Sequence, residues 1–296
     1  MAMIFSKVIK RLDGLSLIVL MLLLFIGCEK VGQVTQFAST KKSFHDNFAM
    51  RAENFFDDPD VISLCHAIEE NELKKMSELI DSGVDLNAKG EGNMTPLLWS
   101  FPDNNVERFE LLLQNGADPN VKLSKDIGSP RVFKEGDSVM MLAAKSFFPQ
   151  HFEIVLKYGG DPNITDKWGN PVLHEMIASG AGDVRAKVRA LVSAGADVNA
   201  LDSAGWPATV SAIAAFQQYD VVQELLDLGA KPQLYKRDVK SKLIHSVVRR
   251  ERDLHLYSRE QQAAHKALLD RLIALGEDPV AAREDNKRWN EAIPPF

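Results

Sequence analysis

An all-α solenoid of about six helix–turn–helix repeats is the fold predicted for this chain of 296 residues. Three observations predict it. A phrase of the form Gly-x-Asp-x-Asn returns at intervals of 33 residues and upward. Each copy closes an apolar stretch of helical periodicity, such as Phe109-Glu-Leu-Leu-Leu113. About twelve residues further on stands a helix start, clearest in Thr95-Pro96-Leu97-Leu98. Such a period marks an array in which each unit buries its apolar face only against its neighbours. Composition agrees: 45% of residues are hydrophobic, as a folded chain requires. A net charge of -6 excludes a nucleic-acid binder working by bulk phosphate neutralisation, and two cysteines exclude a disulfide scaffold.

The chain begins with an address. Lys7, Lys10 and Arg11 precede an uncharged run of thirteen residues, Leu15 to Gly27. A helix needs roughly 20 residues to cross a hydrocarbon core of ~30 Å, so the run reads as the core of a secretory signal peptide. Leu24-Phe25-Ile26-Gly27-Cys28 resembles the lipobox of bacterial lipoproteins, with Phe25 where Leu is more usual. The resemblance implies that residues 1–27 are a cleaved lipoprotein signal peptide and that Cys28 is acylated, palmitate being one of the chains. Two or three acyl chains anchor a protein stably where one is marginal. Glu29, the next residue, is not the Asp that retains enteric lipoproteins at the inner membrane. The expected location is therefore the periplasm-facing cell envelope, at the outer membrane before the inner. Losing residues 1–27 removes three basic residues and one acidic, which takes the formal charge from -6 to -8. Cys65 remains as the one free thiol, so no intramolecular disulfide is expected.

Residues 28–58 are polar and read as a lipidated tether. Phe44 and Phe48, four apart, make room for a short capping helix within it. Residues 59–280 hold the repeats. The phrase reads Gly83-Val-Asp-Leu-Asn87, Gly116-Ala-Asp-Pro-Asn120, Gly159-Gly-Asp-Pro-Asn163 and Gly195-Ala-Asp-Val-Asn199, with weaker copies at Gly229 and Gly276. Glycine stops a helix because it takes a left-handed backbone without a Cβ penalty, and Asp with Asn suits the turn that follows. Thr95 before Pro96 is a cap before a first-turn proline. Pro171-Val-Leu-His174 and Ser138-Val-Met-Met141 hold the same place. Turn, helix, loop, helix and glycine stop together resemble the ankyrin repeat, best in Asn163-Ile-Thr-Asp-Lys-Trp-Gly-Asn-Pro-Val-Leu-His174. The first and last copies are expected as caps, and residues 281–296 as a C-terminal tail. Insertions interrupt the pattern at 122–135, around Gly180-Ala-Gly-Asp183, and at 249–263. Solenoid insertions emerge on one face, often a binding face.

Seven histidines invite a search for chemistry. His174 takes the histidine place of the ankyrin Thr-Pro-Leu-His phrase, where the ring bonds backbone. His66 and His245 sit one place beyond the equivalent positions and read as interhelical packing. His45, His151, His255 and His265 fall in the tether, a loop and the last insertion. No pair has metal-ligand spacing, and His174-Glu175 lacks the second histidine of a zinc-protease helix. Gly136-Asp137-Ser138 is a turn and cap in register with the repeat. No phosphate loop is present. The expectation is a protein that is not an enzyme and uses no cofactor, no metal and no nucleic acid.

In the ankyrin family the turn tips and late first-helix positions bind proteins. Carried over, these are Glu91 and Met94, Lys134 and Glu135, Trp168 and Asn170, Ser203 and Trp206, then Glu69, Glu70 and Asp103 from first helices. Trp168 and Trp206 lead, since exposed tryptophan is enriched among interface hot spots. Acidic surroundings favour a partner with a basic patch. The resemblance implies a monomeric, membrane-tethered immunity protein that neutralises a secreted antibacterial effector, as the periplasmic partners of type VI phospholipase effectors do. The alternative is an envelope scaffold or oxidative-stress protection protein.

Overall fold

The repeated phrase folds as a stop and a staple. In the computed structural model, which describes residues 44–48, 50–102, 105–128, 132–234 and 241–291, all six stop glycines have φ between 88° and 103°. A Cβ at any of them would meet nothing within 4 Å. Backbone conformation, not crowding, therefore demands glycine, because an L-residue in that region costs roughly 1–2 kcal/mol. Two residues on, the Asp carboxylate accepts the N–H of the Asn, at 2.9 Å for Asp85, 2.8 Å for Asp161 and 2.9 Å for Asp197. The Asn side chain then crosses to the next repeat. Asn87 Nδ2 donates to the Gly116 carbonyl at 2.9 Å, and its Oδ1 accepts the Asp118 N–H at 2.7 Å. Asn163 binds Gly195 and Asp197 in the same way, and Asn199 binds Gly229 and Lys231. Lys231 replaces the usual Asp without loss to the staple, since only its N–H is used.

The chain divides into two compact units, one ending at Val139 and the other starting at Met140. The first holds α1 (Phe44–Asn47), α2 (Pro59–Glu69), α3 (Leu73–Asp81), α4 (Pro96–Ser100) and α5 (Val106–Gln114). α2 packs on α3 and α4, and α4 on α5. Helix starts are capped as the residues predict: Asp58 accepts from Asp60 N–H at 2.8 Å and Thr95 from Leu98 N–H at 3.2 Å, each before a proline. Leu97, Leu98, Phe109 and Leu112 are fully buried between the pairs, each such side chain contributing about 1.5–3 kcal/mol.

The second unit takes up the chain within α6 (Val139–Lys145) and runs through α7 (Pro149–Lys157), α8 (Val172–Ser179), α9 (Val184–Ser193), α10 (Ala208–Phe216), α11 (Tyr219–Asp227), α12 (Leu243–Arg249), α13 (Arg259–Ala274) and α14 (Pro279–Glu291). First helices stack as α8, α10, α12 and α14, and second helices as α7, α9, α11 and α13. Lys187 reaches back from α9 to the end of α6, its Nζ donating to the carbonyls of Ala144 and Ser146. Burial lowers its pKa to about 8.

Several expectations change. The leader, Cys28 and the tether to residue 43 lie outside the described residues, as does Asp103. From Phe44 on, where a short capping helix is expected within the tether, α1 stands and the chain is packed. The rings of Phe44 and Phe48 lie 4.6 Å apart, and buried His45 stacks on Trp99. His151 is buried on α7, not in a loop, and His265 is buried on α13, its Nε2 donating to the Val247 carbonyl at 3.1 Å. His66 is exposed beside Glu53 at 2.8 Å, because the side of α2 that carries it faces solvent. His245 is buried as expected, yet it is the third residue after the α12 cap, the very place His174 takes on α8. Part of the 249–263 insertion is the 3-10 turn Arg250–Leu256, and the rest lengthens α13. The expected tail is helical to Glu291. Asp278 caps α14, and Asn286 Nδ2 donates to the His245 carbonyl at 2.9 Å.

Candidate protein-binding surface

Two hairpin tips of the second unit are each organised by one aspartate. Asp166 Oδ1 accepts the N–H groups of Trp168 and Asn170, both at 2.8 Å, while Oδ2 accepts Asn170 Nδ2 at 2.9 Å. Asp202 does the same for Ala204 at 2.9 Å and Trp206 at 2.7 Å. The stems close by antiparallel bridges between Thr165 and Pro171 and between Leu201 and Pro207. Gly169 and Gly205 take positive φ, 88° and 84°, at matching places. Aligning these glycines puts Trp168 opposite Ala204, and Trp206 opposite Asn170. The two tryptophans are thus not equivalent.

Trp168 stands at the tip, 65% exposed, with Lys167 Nζ 4.7 Å from the ring centroid. Trp206 is half-buried in a stem, and its carbonyl receives Nε2 of His174 at 3.0 Å. Burial lowers the pKa of His174, and the bond to Trp206 with the nearby Asp202 charge opposes this. Asn170 turns its polar atoms inward, Nδ2 to Asp166 and Oδ1 to the Ser203 N–H at 3.0 Å. It joins two tips and offers a partner little. Ser203 is exposed beside them. Leu201, 42% exposed on the neighbouring hairpin, was not foreseen. An apolar residue at the place of Thr165 was the available signal. Asp166 and Asp202 are occupied by N–H groups, so the surface presents the apolar faces of Trp168 and Leu201 beside exposed Lys167 and Ser203.

The first unit holds the other predicted residues. Glu91 is exposed and pairs with Lys125 from the 122–135 insertion. That insertion is pinned to its own stem by Leu123 N–H to the Asp137 carbonyl at 2.9 Å, and to the previous tip by Ser124 N–H to the Gly92 carbonyl at 3.0 Å. Lys134 and Glu135 project from it, exposed, with backbone N–H groups held by Asp137 at 2.8 Å and Asp126 at 2.9 Å. Glu70 is exposed. Met94 is 0% exposed, so it is core and no partner can touch it. It stands directly before the Thr95 cap, where the chain turns inward. Glu69 is also turned inward, accepting Trp99 Nε1 at 2.9 Å.

No group of three His, Cys, Asp or Glu among the described residues is placed to hold a metal ion, and no helix among them is long and apolar enough to cross a membrane. The Cys65 thiol is buried and its pKa pushed well up by burial, then by Glu69 and Glu53.

Residues 139–236 match the family model of ankyrin repeats, in three copies. The chain is 30% identical over 140 residues to ankyrin repeat protein FPV031 of fowlpox virus, aligning 46% of itself with 38% of that protein. It is 28% identical over 188 residues to palmitoyltransferase AKR1 of Lachancea kluyveri, aligning 54% of itself with 25% of that protein. It therefore spans well under half the length of these curated relatives. An ankyrin repeat domain from Acinetobacter baumannii AYE superposes with a TM-score of 0.56 at 23% identity, covering 70% of this chain and 95% of that one. The ankyrin repeat domain of Bcl-3, a member of the IkappaB family, gives 0.53 at 22%, covering 64% and 80%. The fold is the ankyrin-repeat fold.

Proposed function

We propose that this ankyrin-repeat chain is a lipid-anchored protein-binding module of the cell envelope that captures and blocks a secreted antibacterial effector of the phospholipase kind. The carrying observation is Trp168, exposed on a tip held by Asp166, with Leu201 on the next hairpin. Tryptophan is among the residue types most enriched at interface hot spots. Repeat folds characteristically recognise proteins through such rows of tips. The lipobox-like sequence before Cys28 supports an anchor, and the uncharged run before it supports export. An effector aimed at a membrane would meet an inhibitor tethered to that membrane, where tethering raises effective concentration.

The test is survival and capture together. Cells lacking the gene are challenged with effector-bearing neighbours, and the chain is tested for co-purification with the phospholipase effector those neighbours secrete. Loss of protection on deletion, restored by the wild-type chain and not by Trp168→Ala, is the expected result. Unchanged survival with no co-purification would exclude the immunity role. Protection from peroxide without protection from neighbours would instead support the stress-protection role.

A further inference from the structure

The hairpin tips lie at the starting end of each first helix, and the loops joining its two helices lie at the other end. In the second unit this opposite edge carries aromatics of its own. Phe147 follows α6 and Phe216 ends α10, 48% and 58% exposed. The chain leaves the helix directly after Phe216. Gln217 adopts φ 52°, the left-handed conformation that Gly180 takes at the same point of the previous repeat with φ 62°. Gln217 is tied there by Nε2, which donates to Tyr257 Oη at 2.8 Å. The Phe216 ring lies over Gly180 so closely that a Cβ there would stand 3.2 Å from it.

Between these two loops opens a groove of about 500 Å³, walled by Gly180, Asp183, Arg185, Phe216, Gln218 and Asp220. Its polar groups are unbalanced towards acceptors. Asp183 and Asp220 are exposed, and the one cation of the wall is drawn away from them. Arg185 bonds Glu224 Oε2 through Nε at 3.3 Å and Nη2 at 3.1 Å, and Arg189 Nη1 reaches the same oxygen at 2.6 Å. Gln218 uses its Nε2 on the Ile177 carbonyl, and its Oε1 has no partner. Asp183 caps α9 through Oδ1, which accepts the Ala186 N–H at 3.0 Å, so an aromatic face, the second oxygen of Asp183 and the Asp220 carboxylate share this groove, a set complementary to a planar cation with several donors.

We infer that this groove docks an arginine side chain presented by a protein partner, the guanidinium lying on Phe216 and donating to Asp183 and Asp220. Arginine fits better than lysine, whose compact ammonium lacks the planar face that stacks while its edge donates to carboxylates. The site lies on the opposite edge from the hairpin tips and does not depend on the reading of Trp168.

The experiment titrates the full chain with acetyl-Ala-Arg-Ala-amide and follows backbone amide shifts by NMR, with the lysine and citrulline peptides as comparators. Shifts confined to Gly180–Arg185 and Phe216–Val221 are expected, weaker with lysine and absent with citrulline. Phe216→Ala, and Asp183→Asn with Asp220→Asn, should each weaken binding at least fivefold. Asn at 183 still caps α9, so that variant keeps its fold. An equal response to citrulline would overturn the inference by showing a groove indifferent to charge. Shifts at Trp168 and Leu201 alone would overturn it by moving the basic contact to the tips. Concentration-dependent shifts of the same amides without peptide would overturn it in favour of a second copy of this chain.

Discussion

His45 stacks on Trp99, with ring centroids 4.3 Å apart and planes 17° from parallel, while its Nε2 donates to the Trp99 carbonyl at 3.0 Å. A residue ahead of the first repeat thereby seals the second. Phe55 and Phe56 meet the same indole edge-on at 5.4 and 6.3 Å. His45→Ala is expected to lower stability by about 1–3 kcal/mol, from the lost ring contact and the uncovered carbonyl. Tryptophan emission should shift to the red. Emission and urea midpoint identical to wild type would show that other residues keep Trp99 dry.

The staple between repeats predicts a graded series. Asn163→Ala removes a donor to Gly195 and an acceptor for Asp197, and is expected to cost about 1–2 kcal/mol. Asn163→Asp keeps the acceptor but sets a carboxylate oxygen against the Gly195 carbonyl, and should cost more. Urea unfolding of the two variants measures the order, and a reversed order would contradict the two-bond geometry.

The two tip tryptophans should separate by effect. Trp168→Ala is expected to leave the thermal midpoint within a degree or two, as surface changes do, and to weaken partner binding more than tenfold. Trp206→Ala should lower stability, since it disturbs the stem whose carbonyl holds His174. Calorimetry on both variants, with and without partner, distinguishes them. Equal loss of affinity from both would restore a symmetric role.

His174 carries a pH signature. Its folded pKa lies below the ordinary value of 6.5, chiefly through burial. Between that folded value and 6.5 the unfolded chain binds the extra proton, so stability rises with pH there and is lost as pH falls through the window. His174→Gln keeps a donor for the Trp206 carbonyl and should flatten that part of the profile. A slope unchanged in the variant would assign it to another group.

Lys187 works in a different range. Burial lowers its pKa from 10.5 to about 8, so below pH 8 the folded chain bears the full cost of a buried ammonium. From about pH 8 towards 10.5 the folded chain has released a proton that the unfolded chain retains, and stability rises. The difference between wild type and Lys187→Met, followed by denaturant midpoints across pH 7 to 11, should show that rise in the wild type alone. Parallel curves would contradict it.

The repeat register was legible because Gly, Asp and Asn each have a fixed physical task at fixed spacing. The caps at Asp58 and Thr95 were legible for the same reason. The inequality of Trp168 and Trp206 was also written in the chain, in their opposite offsets from Gly169 and Gly205, and reading both simply as turn-tip residues passes over it. Asp278 before Pro279 is a helix start, hidden because it also completes a weak copy of the phrase. The burial of Met94 and the inward turn of Glu69 depend on how α2 and α4 pack, and no local pattern carries that. His45 meets Trp99 across 54 residues, a contact no periodicity announces.

The staple also has an end. Gln233 stands where an asparagine would reach across to Gly276, so the link that runs from Asn163 through Asn199 stops at Gly229. The sixth repeat is held instead by side chains at other places, Arg271 on Gln223 and Asp227, and by α14 on α12. In a linear array, cooperativity is only as continuous as the coupling between neighbours. The junction of the fifth and sixth repeats is therefore the expected seam, along which the C-terminal end opens before the repeats that Asn163 and Asn199 staple.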